Sequence, residues 1–237
     1  MTNILDKESV CSLCNCHIKE NTLFTGLNPA QLDAFKEAVS ITPHKRREVV
    51  FMEGDDCRGL YIIRTGRIKV LRSSSTGKEQ IIKILNPGDL LGFEVLYNAR
   101  HYKNTAMAME DSELCYMEKH AFFNILEKEP AIARKLIISM GRELNHAYER
   151  IGNLGLLNAR EKLAHLLYTL ASEYGVACEG GTKLNLTLSR LEIAELLGIT
   201  QETSIRLLKS FKEEGVLEIK RKEIIIKSLE KLRQLGE

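Results

Sequence analysis

The sequence lacks the features of a membrane or secreted protein. It contains no uninterrupted run of about eighteen apolar residues, the length that an α-helix needs to cross a bilayer. Its N-terminal stretch, MTNILDKESV, contains no apolar core of a secretory signal. We therefore expect a cytoplasmic protein with no membrane partner. Apolar residues still make up 44% of the 237 positions, which is enough for one large domain or two modest ones.

The sequence also has little excess charge of either sign. Its formal net charge is +2, and residues 160–237 contain 13 Lys and Arg against 12 Asp and Glu. Any contact with nucleic acid therefore has to come from the placement of individual cations, because bulk charge gives no attraction. Six cysteines are present. In a chain without a secretion signal they indicate reduced thiols or metal ligands, and not a disulfide scaffold.

Residues 188–215 have the spacing of two short helices joined by a tight turn. Ser189 followed by Glu192 is a capping box, which predicts that a helix begins directly after Ser189. Gly198 can adopt the left-handed conformation that ends this helix, and Thr200 is placed to cap a second helix. The predicted buried side of the first helix consists of Leu191, Ala194 and either Leu196 or Leu197.

The second predicted helix, residues 201–214, has one apolar and one polar face. Its apolar stripe consists of either Ser204 or Ile205 with Leu207, Leu208 and Phe211. On the polar face, Glu202 and Arg206 suit a cytosine and a guanine in a DNA major groove, or they form a surface ion pair. The capped helix, the glycine turn and the basic hairpin around them favour a helix-turn-helix. The residues expected at DNA are Ser189, Thr200, Gln201, Glu202, Thr203, Ile205, Arg206 and Lys209.

A hairpin is predicted directly after these two helices. Residues 216–219 and 224–226 form two short strands around a basic turn. Lys220, Arg221 and Lys222 in this turn suit DNA phosphates, which contribute affinity without sequence information. The three cations complete the predicted DNA-binding residues, and the hairpin makes the motif a winged helix-turn-helix.

The first half of the chain predicts a tail, a short helix and a β domain. Residues 1–22 have no hydrophobic period and form the tail, and residues 30–39 form the helix. Between residues 41 and 117, short β-branched runs alternate with glycines, which is typical of an antiparallel sandwich or roll. The predicted strands are residues 47–52, 59–63, 67–71, 79–85, 89–93, 104–109 and 113–117.

A long helix is predicted from Pro130 to about Leu157. Apolar residues recur along it at alternating spacings of four and three, which is a heptad seam. The seam favours a two-fold dimer, and the alternative is a helix packed on its own β domain. The seam residues are Ala133, Ile137, Met140, Leu144, Ala147, Ile151 and Leu154. A helix at residues 158–174, a Gly-rich turn at 175–183 and a strand at 184–188 are predicted to follow.

This α+β order of an N-terminal antiparallel β-roll, a long dimerisation helix and a C-terminal winged helix-turn-helix resembles the CRP/FNR superfamily of bacterial transcription regulators. In that family the roll is a double-stranded β-helix of the cyclic-nucleotide-binding type. The motifs that carry the resemblance are Gly54-Asp55, residues 64–69, residues 87–92, and Gln201-Glu202-Thr203 with Arg206. The domains that it implies are the tail at 1–22, a sensor β-roll at 23–130, the dimerisation helix at 131–157 and the DNA-binding domain at 158–237.

The resemblance also implies partners. It implies a homodimer that binds near-palindromic, double-stranded promoter DNA and contacts RNA polymerase, with the turn at residues 76–79 as one candidate polymerase surface. Glu94 matches one residue of the family's cyclic-AMP pocket. However, Asn104-Thr105 replaces the pair that binds the cyclic phosphate, and Ala147-Tyr148 replaces the polar step that binds adenine. Because a phosphate site depends on its cation, cyclic AMP is not the expected effector.

The fumarate–nitrate branch of the family implies a different sensor. It uses an iron–sulfur cluster held by three N-terminal cysteines and one cysteine of the β-roll. Cys11, Cys14 and Cys16 lie in the tail of this chain, and Cys115 matches the position in the roll. The Cys14–Cys16 spacing is shorter than in the family, so zinc with Cys or His17 ligands and simple free thiols stay open as alternatives.

Two other classes of function are weighed against a DNA-binding regulator. A cupin-like enzyme needs several His and Glu ligands on adjacent strands, but the β domain offers only His44 and His101, both expected in turns. A nucleotide-binding regulatory module explains the roll but not residues 188–226. We therefore expect a regulator without enzymatic activity, with an effector or redox signal sensed by the roll and the tail.

Overall fold

The computed structural model describes residues 29–220 and 223–236. The chain divides after Leu144 into two compact units, each described here by itself. No helix within the described residues is long and apolar enough to cross a membrane.

The first unit contains the predicted β-roll. Its elements are α1 (Pro29–Ala38), β1 (Val39–His44), β2 (Val49–Phe51), β3 (Gly59–Thr65), β4 (Ile68–Ser73), β5 (Glu79–Leu85), β6 (Leu90–Leu91), a 3₁₀ helix (Phe93–Tyr97), β7 (Thr105–Ala108), β8 (Ser112–Glu118) and α2 (Lys119–Lys128). The strands form two antiparallel four-stranded sheets in the orders β1-β8-β3-β6 and β2-β7-β4-β5. Apolar side chains from both sheets and both helices, including Phe35, Ile62 and Phe122, form one buried core.

Some details of this unit differ from the prediction. The strand expected at residues 89–93 shortens to β6 because a 3₁₀ helix begins at Phe93. β1 pairs with β8 from Val39↔Met117 to His44↔Ser112, although residues 39–44 were not predicted as a strand and His44 was expected in a turn. The helix α2 was also missed. β1 carries little local signal, because its pairing partner lies about seventy residues further along the chain.

The predicted long helix is confirmed as α3, Pro130–Leu156. The structure describes all 27 of its residues, and Ile132 and Leu136, both near its start, are the two that are buried. The six seam residues from Ile137 to Leu154 are all exposed in the single protomer.

The second unit contains the C-terminal elements. They are α4 (Ala159–Tyr174), β9 (Gly175–Cys178), β10 (Gly181–Leu184), α5 (Arg190–Leu197), α6 (Gln201–Glu213), β11 (Leu217–Lys220), β12 (Glu223–Ile226) and α7 (Leu229–Gly236). The strands form one sheet in the order β11-β12-β10-β9. The Gly-rich turn predicted at residues 175–183 is instead the β9–β10 hairpin, and the strand predicted at 184–188 is wrong beyond Leu184.

Candidate DNA-binding face

Two side-chain caps fix the start of α5 and of α6. The Ser189 hydroxyl accepts a hydrogen bond from the Glu192 backbone N–H at 3.1 Å, and the Glu192 carboxylate accepts one from the Ser189 N–H at 2.9 Å. Gly198 ends α5 with a φ of +68°. The Thr200 hydroxyl then accepts a hydrogen bond from the Thr203 backbone N–H at 3.2 Å and caps α6. The predicted capping box, glycine turn and second cap are therefore confirmed.

The phase of α6 separates a buried face from an exposed face. Ser204, Leu208 and Phe211 are buried, whereas the Ile205 side chain is 47% exposed. Of the two residues that the sequence left open for the apolar stripe, Ser204 is thus the inward one. The exposed residues of the first three turns are Gln201, Glu202, Ile205, Arg206 and Lys209. They present donors, acceptors and one branched apolar side chain along the exposed face of the helix.

One prediction for α5 is wrong. Leu191 was expected on the buried side of this helix, but it is 50% exposed. Instead, the helix buries Ile193 together with Ala194, Leu196 and Leu197. Several apolar residues stand within two helical turns, so the sequence pattern alone does not select the side that faces the core.

Glu202 and Arg206 take part in none of the ion pairs found among the described residues. The neighbouring ion pair on this helix joins Lys209 and Glu213, whose Nζ and Oε1 atoms are 3.7 Å apart. The carboxylate of Glu202 and the guanidinium of Arg206 are therefore open to another partner. This arrangement is not the surface ion pair that was the alternative interpretation of their spacing.

The C-terminal end of α6 is attached to α4 by a residue that the sequence analysis missed. The Arg160 guanidinium donates hydrogen bonds to the Ser210 hydroxyl at 3.1 Å and to the Glu214 carboxylate at 2.5 Å. It also lies over the Phe211 ring, 4.8 Å from its centroid. These contacts hold the C-terminal end of α6 without using Gln201, Glu202 or Arg206. The only local signal nearby is the Asn158 capping box, which predicts the start of α4 but not this contact.

The hairpin β11–β12 is the predicted wing. Its strands pair from Leu217↔Ile226 to Lys220↔Glu223, so Lys220 and Glu223, which were predicted in the turn, are the last and first residues of the two strands. Lys220 is exposed at the end of β11, and its Nζ lies 3.3 Å from the Glu218 carboxylate. The other two predicted phosphate-contacting residues, Arg221 and Lys222, lie outside the described residues.

The comparisons with known proteins agree with both units. Residues 42–129 match the family described as cyclic nucleotide-binding domain, and residues 161–235 match the Crp-like helix-turn-helix domain. An anaerobic regulatory protein of Aggregatibacter actinomycetemcomitans is 33% identical over 94% of this chain and 86% of its own length. The chain belongs to the CRP/FNR family of transcription regulators.

Other members of the CRP/FNR family support the same conclusion. The fumarate and nitrate reduction regulatory protein of Escherichia coli is 30% identical over 94% of this chain and 89% of its own length. The solved structure of a CooA mutant from Carboxydothermus hydrogenoformans has a TM-score of 0.74 and 26% identity, and covers 90% of this chain and 97% of that one. This CRP/FNR protein is thus a DNA-binding transcription regulator, and the recognition and fold class drawn from its sequence are confirmed.

In this CRP/FNR regulator, Glu94, which matches one residue of the family's cyclic-AMP pocket, forms hydrogen bonds within the roll. The Glu94 carboxylate is buried and accepts hydrogen bonds from the Lys103 backbone N–H at 3.2 Å and from the Asn104 amide at 3.4 Å. Both of these hydrogen bonds fall on the Oε1 atom of Glu94. Asn104 supplies an amide where a cyclic phosphate would need a cation.

The candidate metal ligands fall partly outside the described residues, since Cys11, Cys14, Cys16 and His17 all precede residue 29. Cys115 lies on β8 with its side chain fully buried in the core of the roll. Within the described part of the chain, no group of three or more His, Cys, Asp or Glu side chains is arranged to hold a metal.

Proposed function

We propose that this regulator acts as a homodimer whose two α6 helices read the two half-sites of a near-palindromic promoter site. The observation that carries the proposal is the exposed row Gln201, Glu202, Ile205 and Arg206 at the capped N-terminal end of α6. Arg can bond guanine O6 and N7 as a pair of donors, and a carboxylate can accept from cytosine N4. These are contacts that distinguish base pairs, and the N-terminal turns of a recognition helix are the ones that enter the major groove.

The wing and α3 have separate roles in this proposal. Lys220, with Arg221 and Lys222, contacts phosphates and so adds affinity for DNA of any sequence. The exposed seam of α3 packs against the same seam of a second copy, through Ile137, Met140, Leu144, Ala147, Ile151 and Leu154. A symmetric dimer sets the spacing of the half-sites at about one helical turn of DNA, about 34–36 Å, and combines the specificity of both.

The test of base reading compares two cations of one helix. Arg206→Ala should weaken binding to the selected operator by roughly 1–3 kcal/mol and flatten the preference at one base pair, because a bidentate contact is lost. Lys212→Ala is the matched control, since Lys212 is an exposed cation about two turns further along α6. Titrations use the selected operator and a random duplex at one salt concentration. Equal weakening of both duplexes by Arg206→Ala would remove Arg206 from base reading.

We further propose that the turn between β4 and β5 contacts RNA polymerase. The turn residues are exposed, and the Gly77 and Lys78 N–H groups donate to the Ser74 carbonyl and hydroxyl at 2.9 and 3.1 Å, which fixes its shape. Lys78→Ala should retain operator affinity but lose the effect on transcription by purified polymerase. Lys103→Ala, a change of an exposed lysine elsewhere on the roll, is the control. Unchanged transcription with Lys78→Ala would reject this surface.

For the signal, we propose a redox-sensitive metal site of Cys11, Cys14, Cys16 and Cys115. Three thiols within six residues of sequence and a fourth on β8 form a donor set that suits an iron–sulfur cluster or zinc. The second buried thiol of the roll, Cys57, is left out of the set because Cys115, and not Cys57, matches the ligand position that the fumarate–nitrate branch implies in the roll.

A further inference from the structure

Both oxygens of the Glu218 carboxylate are occupied by lysines of the wing sheet. Oε1 lies 3.3 Å from the Nζ of Lys220, and Oε2 lies 2.7 Å from the Nζ of Lys227. Hydrogen bonds from Lys227 and Lys220 hold the pKa of Glu218 below its usual range, so the carboxylate is ionised at neutral pH. One anion therefore binds two cations in the described part of the wing.

The strand register places these three side chains on one face of the sheet. Glu218 lies opposite Ile225, and Lys220 lies opposite Glu223. Since side chains alternate along a strand, residues 218 and 220 of β11 share a face with residues 223 and 225 of β12, and Lys227 continues that alternation. The second carboxylate of the hairpin, Glu223, forms an ion pair with Lys183 of β10 at 2.5 Å, and not with Lys220 or Lys227.

A carboxylate and a DNA phosphate are alternative partners for the same ammonium group, because both are anions that offer acceptor oxygens. All three side chains at Glu218 are partly exposed, from 31% to 61%, so a phosphate can reach the lysines and the ion pairs are weak enough to be exchanged. Because an ammonium group has three donors, Lys220 can contact a phosphate beside Glu218, but the carboxylate takes up one of those donors and offsets part of the positive charge that the phosphate would meet.

We propose that Glu218 competes with DNA phosphate for Lys220 and Lys227, and so lowers the affinity of the wing for DNA of any sequence. The inference rests on the proposed role of the wing as a phosphate-contacting element. Its consequence is a regulator that dissociates readily from random DNA, where the wing supplies much of the binding, while base contacts from α6 retain it at its own site.

The test is Glu218→Gln, which keeps the size of the side chain and removes its charge. The variant should bind a random duplex several-fold more tightly than the unchanged protein. Its plot of log affinity against log salt should be steeper by about 0.9 for each lysine that gains a phosphate. Lys227→Ala in the Glu218→Gln background should reverse part of the gain. Thermal unfolding of each variant checks that the fold is intact.

Glu223→Gln is the matched control, because it removes the same charge from the same hairpin but frees Lys183 instead. If Glu218→Gln behaves like Glu223→Gln or like the unchanged protein, the competition proposed for Glu218 is rejected.

The combined change of Lys220, Arg221 and Lys222 to Ala separates the two proposals. If this change weakens DNA binding while Glu218→Gln has no effect, the wing contacts DNA and only the competition fails. If the triple change leaves binding unaltered, the phosphate-contacting wing fails as well.

Discussion

The guanidinium of Arg160 and the carboxylate of Glu214 join the first turn of α4 to the C-terminal end of α6. Their Nη2 and Oε2 atoms are 2.5 Å apart, and the Ser210 hydroxyl donates a second hydrogen bond to Glu214 at 2.7 Å. The contact involves Ser210 and Glu214 at the C-terminal end of α6, beyond Arg206. It therefore fixes the direction of the recognition helix without taking up any of the residues proposed to read bases.

This contact predicts an acid-dependent loss of stability. Hydrogen bonds from Arg160 and Ser210 lower the pKa of Glu214 from 4.5 to about 2. A carboxyl whose pKa is lower in the folded state stabilises the fold fully above the unfolded value, and this contribution is lost as the pH falls from about 4.5 towards 2. Denaturant unfolding at a series of pH values measures the free energy of unfolding, which should change less with pH in this window for Glu214→Gln than for the unchanged protein. Arg160→Ala should reduce the pH dependence of this free energy in the same way. The same pH dependence in the two variants and the unchanged protein would contradict the assignment.

The seam on α3 predicts that one buried charge prevents dimerisation. Ile151→Asp would bring two carboxylates together at the dimer axis, so the protein should shift to monomers and lose most of its operator affinity. Ile138→Asp is the control, since Ile138 is also an exposed apolar residue of α3 but lies off the seam. Sedimentation velocity measures both variants. A dimeric Ile151→Asp protein would show that the interface lies elsewhere.

Ile205 predicts an apolar contact in the half-site. Its exposed side chain has no polar group, so within the groove it can pack on the C5-methyl group of a thymine. Replacing that thymine by deoxyuridine, which lacks the methyl group, should weaken binding by about 0.8 kcal/mol. Ile205→Ala should bind the thymine and deoxyuridine duplexes with closely similar affinity. If no thymine of the half-site shows the effect with the unchanged protein, Ile205 does not read a methyl group.

The proposed metal site predicts different results for the two buried thiols of the roll. After anaerobic reconstitution, Cys115→Ser should lose bound metal and operator affinity together, whereas Cys57→Ser should retain both. Iron, sulfide and zinc analysis with the visible absorption spectrum identifies the metal, because iron–sulfur clusters absorb visible light and zinc does not. Full metal content in the Cys115→Ser protein would remove Cys115 from the site.

Local signals predicted the DNA-binding motif well. The capping contacts of Ser189 and Thr200 join residues three positions apart, so the sequence contains both partners of each bond. Gly198 marks the turn because it needs a positive φ. These features set the helix boundaries, and with the boundaries set, the phase of α6 placed Glu202 and Arg206 on its exposed side.

Contacts between distant residues were not predictable in the same way. Arg160 and Glu214 are 54 positions apart, and nothing in the spacing of either residue indicates the other. The helix α7 was also missed, although it packs on α4, because its partner surface exists only after α4 has formed. For α5, the apolar residues around Leu191 allow either of two helix faces to point towards the core. The packing of the folded unit decides which face is buried, and Leu191 is on the exposed one.

In the proposed dimer, the composition of α3 links its folding to protomer concentration. The helix contains Gly141 and Gly152, and a glycine costs about 1 kcal/mol relative to Ala in a helix interior. Beyond Leu136 its residues are not buried by their own chain, so little within one protomer offsets this cost. If two protomers associate more strongly when α3 is helical, this gain in association free energy stabilises the helical state by the same amount. In the proposed dimer, the amount of regulator therefore determines how much of α3 is helical, and dilution alone would loosen the link between the β-roll and the DNA-binding domain.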